Sequence, residues 1–337
     1  MLETAPAPTV TVVMIFLNAQ AYIEEAIESV LAQTCRDFEL VLVDDGSTDA
    51  STEIAKRYAT EHPGRVLYTE HDQHRNRGMS ASRNLGVSVG RGKLISFLDS
   101  DDIWLPNRLE RFVAEIEKYP EAGMLYGPTL YWYSWSRSAT QKDYPGRLEL
   151  PTHMLLPPPL PLRRWLETGG GCLPGICSLI VRREAYLGIG GFEPSFRGLY
   201  EDQVFLSKFS LAHPIVVIPD VLDWYRQHPA SSCHRGIETG DYHPVKLHRA
   251  RQRYLVWLQG YCRDVGVTDR GLWKALDQEQ WPYRNRLNGF IFNTRQAAPE
   301  RVRTLLRRYL PPPARQRLRR LVEGYWRWRA RGKSASP

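Results

Sequence analysis

The chain has 337 residues and a formal net charge of +8, a length that suits one large α/β domain with an extension. No run of eighteen or more apolar residues occurs, which excludes a spanning helix, and Met1–Thr9 lacks the basic and apolar regions of a secretory signal. Residues 241–337 hold 22 of the 45 bases and 7 of the 37 acids, a net of +15, which leaves residues 1–240 at −7.

From Val10 the chain alternates short apolar runs with helical patterns. Val10–Phe16 reads as a strand, and Asn18 suits the cap of a helix reaching about Gln33, with Tyr22, Ala26, Ile27, Val30 and Leu31 on one face. Leu40–Val43 is a second strand and Asp49–Tyr58 a second helix. Val66–Tyr68 follows as a strand, then Met79–Val89 as a helix closed by Gly90 and Gly92. Leu94–Leu98 is a strand, Pro106 opens a helix to about Lys118, and Met124–Tyr126 is a further strand. This rhythm predicts a mostly parallel sheet with helices on both faces.

The stretch from Arg137 to Gly175, with seven prolines and Gly169-Gly170-Gly171, reads as one long loop. Structure resumes with a strand at Ser178–Val181, helices at Arg183–Gly188 and Glu201–Ala212, and strands at Ile215–Ile218 and Leu222–Arg226. Beyond Tyr242 the pattern is helical, interrupted near Gly266, Pro282, Pro299 and Pro311–Pro313. Cys35, Cys172, Cys177, Cys233 and Cys262 are odd in number and irregularly spaced, which suits a reducing setting. Cys172 and Cys177 have no second pair for a zinc site and read as ordinary buried thiols.

Two strands end in acids. Leu40–Val43 runs into Asp44-Asp45-Gly46-Ser47, and Ile95–Leu98 into Asp99-Ser100-Asp101-Asp102. Acids gathered at buried strand ends repel unless a cation sits among them, and the carboxyl edge of an open α/β sheet is where ligands bind. A Gly-rich dinucleotide fingerprint, a Walker loop and a nucleophile elbow are all missing.

Four segments then fall in order: Val10–Asn18, Val41–Asp49, Gly78-Met79-Ser80-Ala81-Ser82-Arg83-Asn84-Leu85-Gly86 and Phe97–Asp102. Gly190-Gly191-Phe192-Glu193 and Tyr200-Glu201-Asp202-Gln203-Val204-Phe205 follow. Together, over roughly residues 9–230, they resemble the family-2 inverting glycosyltransferases of bacterial polysaccharide or lipopolysaccharide type. That resemblance implies a GT-A fold, a mostly parallel sheet flanked by helices, with a C-terminal helical extension. It divides the chain into a transferase domain at 1–240 and a basic extension at 241–337. Within the domain, the nucleotide-sugar half covers about 9–127 and the acceptor half about 128–240.

The resemblance also implies roles. Asp45 would accept hydrogen bonds from the nucleotide base, with a helix cap as its alternative; Asp44 and Asp49 divide evenly between cap and site. Arg83 would lie against the nucleotide, or else form a surface salt bridge. Asp101 would ligate Mg²⁺ or Mn²⁺, while Asp99 holds the ribose or a metal-bound water, and Asp102 caps the next helix. Asp202 would be the general base that takes the acceptor's proton, with Glu201 as its neighbour and rival. In Tyr225-Arg226-Gln227-His228-Pro229, His228 would be a metal ligand or phosphate contact, or a structural histidine, and Arg226 has the same standing. Trp104 reads as packing or acceptor-loop structure. One departure stands out: Leu17 replaces the aromatic residue that in the family precedes Asn18 and stacks on the base, which leaves Phe16 as a substitute.

The implied partners are a nucleotide-sugar donor, most simply a UDP-sugar, and a saccharide or lipid-linked acceptor. Residues Arg301–Lys333 intersperse arginines with Leu, Tyr and Trp, a composition that suits an anionic membrane face. A solvated basic face or an oligomer contact is the plainer alternative, and nucleic-acid binding finds no module. The expected location is cytoplasmic and peripheral on the inner membrane face. A sugar-nucleotide pyrophosphorylase, which would need a basic Gly-rich loop where Leu17-Asn18-Ala19-Gln20 stands, and a silent binding protein are the rival readings.

Overall fold

Residues 6–170, 172–243 and 246–297 are described in the computed structural model. The first half is built on β1 (Val10–Phe16), α1 (Ile23–Leu31), β2 (Phe38–Asp44), α2 (Ser51–Glu61), β3 (Val66–Glu70), α3 (Met79–Val89) and β4 (Leu94–Asp99). Then come β5 (Ile103–Trp104), α4 (Arg108–Ile116), β6 (Met124–Tyr126), β7 (Leu130–Trp132), β8 (Tyr144–Pro145), β9 (Leu155–Leu156) and α5 (Leu160–Glu167). The next elements are β10 (Leu179–Arg182), α6 (Arg183–Gly188), α7 (Glu201–Ala212), β11 (Ile215–Val217) and β12 (Asp223–Arg226). Helices α8 (Ser232–Thr239), α9 (Arg249–Asp264), α10 (Arg270–Gln280) and α11 (Arg286–Ala297) end the described chain.

Among the described residues the strands form an eight-stranded sheet, in the order β3-β2-β1-β4-β10-β6-β11-β9, and a four-stranded sheet, β5-β12-β7-β8. β1 and β2 are buried at every position, which is why both read as near-continuous apolar runs: parallel strands covered on both faces have no wet side. Their polar exceptions are paired, since Thr11 donates to Glu39, which also accepts the amides of Arg91 and Gly92. Helix α1 buries Ile23, Ala26, Ile27 and Val30, the i, i+3, i+4, i+7 stripe. Each of its branched side chains gains about 1.5–3 kcal/mol from that burial.

The chain runs outward from β1 to β3, then returns to place β4 on β1's other side. Register levels the tips: Ile15 pairs with Asp99 and Phe16 with Asp44. The reversal between β1 and β4 therefore opens a crevice whose rim carries both acid clusters. Helix α3 lies against this region unusually closely. A Cβ on Gly86 would stand 2.4 Å from Val13 Cγ1 and 3.0 Å from Val43 Cγ2.

The structure corrects four expectations. Asn18 does not cap α1, which begins five residues later; Asn18 has a positive φ, and its Oδ1 accepts the Thr48 amide, joining the β1 and β2 loops. Helix α2 starts at Ser51, because Asp49 folds back on Ser51 in a local turn. The Pro-rich stretch is not one loop: it contributes β8, β9 and α5, with Leu162, Trp165 and Leu166 buried. Helix α4 begins at Arg108 rather than Pro106.

The chain divides into two units between Arg235 and Gly236. In the second, α9 buries Tyr254, Leu255, Leu258 and Cys262, and α10 buries Leu272, Ala275 and Leu276. His248 and Asp269 cap these helices by accepting the amides of Arg251 and Leu272. Among the described residues no helix is long and apolar enough to cross a membrane. The basic stretch Arg301–Lys333 lies outside the described residues.

Candidate active site

At the tip of β2 the acids are occupied by backbone. Asp44 Oδ1 accepts the amides of Gly46 and Ser47, the local turn its composition favours, and its other oxygen accepts Thr52 Oγ1. Asp45 is buried, and its carboxylate accepts the amides of Arg77 (2.6 Å) and Gly78 (3.1 and 3.0 Å). It therefore ties the segment that leads into α3 to the end of β2, and it does not cap α2. Gly78 has φ +89, and a Cβ there would meet Arg197 at 2.9 Å, so the close approach needs glycine. Phe16 is 2% exposed and belongs to the core, so it presents no ring to a base; Leu17, 44% exposed, is the side chain offered at that edge.

Arg83 departs from the surface salt bridge. It is 2% exposed, donates to Asp99 at 2.8 Å and to Glu201, and lies over the ring of Phe192. One guanidinium thus joins the tip of β4 to the first residue of α7, across 118 residues of sequence. Two carboxylates around a buried cation hold it firmly charged, which outweighs its desolvation.

Glu201 and Asp202 open α7 after Tyr200, which has a left-handed φ of 73°. Glu201 is buried. Burial, then the charge of Asp202, pushes its carboxyl up to about 7 against the opposing pull of Arg83. Its Oε2 accepts the Asp202 amide. Asp202 is half-buried, its Oδ1 accepts the Gln203 amide, and burial raises its pKa as well. Glu201 takes the direct hydrogen bond from Arg83, while the Arg83 charge and Glu201 itself also act on Asp202.

On the other side of Arg83 stand Asp99, Asp101 and Asp102. Asp102 does not cap a helix, since α4 has no side-chain cap. It is buried, with Oδ1 accepting the Arg226 amide (2.9 Å) and Oδ2 the Cys177 thiol (3.2 Å). Burial, with the charges of Asp101 and Asp99, pushes its pKa well up. Asp99 and Asp101 keep part-exposed side chains. Asp101 Oδ2 lies 2.9 Å from His228 Nε2. Neighbouring ligands of an octahedral cation with ~2.1 Å bonds are also ~3 Å apart. Among the described residues, the side chains of this cluster whose ligand atoms gather closely enough for an ion are Asp99, Asp102 and Cys177, with Asp101 and His228 paired beside them.

Arg226 is buried and already engaged. It pairs with Glu25, donates to the Asp101 carbonyl, and stands over Tyr22, Trp132 and Trp135 at 5.2, 4.5 and 5.2 Å. Its cation braces the loop after β4. His228 packs against the same Tyr22 ring, centroids 4.6 Å apart.

Several participants carry no motif. Cys177 receives the Asp99 amide and donates to Asp102. Arg108, wholly buried, donates to Ser96 Oγ and to the carbonyls of Cys177 and Leu179, and stacks 3.7 Å over Trp104. Asp223, buried on β12, is pushed up to about 6 by burial despite the Arg108 charge. Trp104 is packing: its Nε1 donates to the Cys177 carbonyl. A basic residue two positions after Pro106 was the one available signal for Arg108; for Cys177 the sequence offers none.

The family profile described as Glycosyl transferase family 2 matches residues 11–186. An uncharacterized glycosyltransferase of Nostoc sp., alr2836, is 26% identical over 225 residues, 66% of this chain and 66% of that protein. The minor teichoic acid biosynthesis protein GgaB of Bacillus subtilis is 39% identical over 95 residues, 28% of this chain and 10% of that one. The chain thus spans about two thirds of the first relative's length and a tenth of the second's. Among solved structures, S. aureus TarS 1–349 in complex with UDP-GlcNAc is 18% identical with a TM-score of 0.58, covering 95% of this chain and 89% of that one. The mannosyltransferase PcManGT from Pyrobaculum calidifontis, in complex with GDP-Man and Mn2+, is 17% identical with a TM-score of 0.57, covering 98% and 85%. These likenesses show the GT-A fold.

Proposed function

The chain belongs to glycosyl transferase family 2, and on that premise we propose that it moves a sugar from a nucleotide-sugar donor to a hydroxyl acceptor with inversion. The observation that carries the reading is the span of α3. The amides of Arg77 and Gly78, just before it, bind Asp45, and its Arg83 binds both Asp99 and Glu201. That segment and helix join the carboxylates to which this reading gives the base, the metal and the acceptor. Glycosyl transfer needs these three together, and a silent scaffold does not. The pyrophosphorylase alternative is not favoured by the family match.

In this reading the nucleotide half is about 9–127 and the acceptor half about 128–240. Asp45 accepts the base's N–H, Asn18 and Leu17 edge the base, and Asp99 holds the ribose. Asp101 and His228 hold Mg²⁺ or Mn²⁺, with Asp99 close by. When bound, the cation screens charge that builds on the departing diphosphate. Asp202 takes the acceptor's proton as the hydroxyl attacks; a carboxyl raised by burial is a better base near neutral pH than an exposed one. Glu201 keeps Arg83 and the Asp202 backbone in place. The donor class follows the sugar nucleotides bound by TarS and PcManGT, and polysaccharide assembly follows GgaB's printed role. The +15 extension attaches the protein to the inner face of the membrane, where lipid-linked acceptors lie.

A panel of UDP-, GDP- and dTDP-sugars, screened for thermal stabilisation with Mn²⁺ and then for nucleoside diphosphate release, tests the core reading. Stabilisation by a sugar nucleotide and loss of its metal dependence in Asp101→Ala are expected. Equal stabilisation without metal would remove the metal assignment. Flotation with anionic liposomes, with and without residues 301–337, tests attachment: the truncated chain is expected to stay behind.

A further inference from the structure

The four-stranded sheet has two unlike faces. Strand alternation and the pairs Tyr225↔Tyr131 and Tyr131↔Tyr144 put these three tyrosines on one side. Trp132, Trp224 and Arg226 fall on the other. The tryptophan side is consumed in bracing Arg226, with Trp132 and Trp224 packed 5.1 Å apart.

The tyrosine side forms a graded stack. Tyr131 and Tyr144 lie parallel, centroids 4.8 Å apart at 10°, and Tyr133 stacks on Tyr144 at 6.2 Å and 27°. Tyr225 closes the inner end edge-on to Tyr131 at 5.6 Å. Burial decreases outward, from the shielded Tyr131 to Tyr144, which is 49% exposed. The inner phenols border the chemistry. Tyr131 pairs with Tyr225, and Tyr225 is followed on β12 by Arg226, whose amide donates to Asp102. The stack therefore begins beside the site and ends in solvent.

An aromatic surface rimmed by hydroxyls suits a ligand with one apolar face and a polar edge. A pyranose ring has that form: axial C–H bonds lie against the ring plane while its hydroxyls reach the phenols. We infer that this tyrosine face, with Tyr144 foremost and Tyr131 and Tyr133 behind it, is the platform that seats the acceptor's sugar ring, so that the acceptor's terminal unit is a saccharide. The inference rests on the transferase reading and narrows its acceptor.

The test is saturation-transfer NMR on the full chain with UDP and Mg²⁺, using methyl β-glucopyranoside, methyl β-galactopyranoside and N,N′-diacetylchitobiose as probes. Ring C–H signals are expected for at least one probe. They should fall about fivefold in Tyr144→Ala and return in Tyr144→Trp. As Tyr144 is half-exposed at a sheet edge, Tyr144→Ala should unfold within about 2 °C of the unsubstituted chain. If it does not fold, Tyr133→Ala serves with the same outcomes. Undiminished signal in the alanine variant, or no signal from any probe, overturns the platform. Thermal stabilisation of the unsubstituted chain by sugar nucleotides is read in parallel. Its absence defeats the transferase reading itself, whereas its presence with silent probes defeats the platform alone.

Discussion

The two sides of the crevice are assembled differently. At the tip of β2, the acids bind backbone within their own or the next loop: Asp44 to Gly46 and Ser47, Asp49 to Ser51, Asp45 to Arg77 and Gly78. On the opposite side, partners come from far along the chain. Arg83 meets Glu201 across 118 residues, His228 meets Asp101 across 127, and Arg226 meets Glu25 across 201. The first kind of contact shapes loops. The second holds charges in a shared, partly dry space where each group sets its neighbour's proton affinity.

Substitutions on the two sides should differ accordingly, and the largest difference is expected at the base. Asp202→Asn should lower turnover about 10²–10⁴-fold, the usual worth of a general base, while donor affinity measured by calorimetry stays within twofold. Retained turnover would move the role to Glu201. Next comes Arg83→Ala, which strands Asp99 and the buried Glu201 without their cation. A loss of about 3–5 kcal/mol in denaturant unfolding is expected, against about 1 kcal/mol for Asp49→Ala on the loop-shaping side. A cost at Arg83 no larger than at Asp49 would erase the distinction.

The smallest effect is a slope. Glu201 titrates at about 7 in the fold against an ordinary 4.5. Between those values the folded chain holds a proton that the unfolded chain has released. Its contribution to stability is therefore greatest below pH 4.5 and declines as pH rises to about 7. In Glu201→Gln that decline should become shallower, with Asp223 still titrating at about 6, visible as a flatter dependence of melting temperature between pH 4.5 and 7.5. An unchanged slope would place the titration elsewhere.

The same asymmetry decided what could be read from sequence. The elements of the first half were legible because parallel buried strands leave continuous apolar runs and α1 leaves a clean stripe. Within the site, a motif gave the residue but not its surroundings. Asp102 looked like a cap because an acid before Pro106 and a helix usually is one; only the pairing of β12 with β5 shows it buried against Arg226 and Cys177. Phe16 looked available because alternation alone cannot say that both faces of β1 are covered. The Pro-rich stretch hid α5, whose buried Trp165 and Leu162 outweigh the local preference for turns.

Gly86 takes no part in any proton transfer, yet it governs the distance at which α3 rides over the strands beneath it. A single added methyl would press on Val13 and Val43, which have no room to retreat in a close-packed interior. The helix would have to lift, and with it the guanidinium one turn earlier that spans the crevice. The enzyme's chemistry is thus hostage to a residue without any, and Gly86→Ala belongs among the changes that silence it while every reactive group is still present.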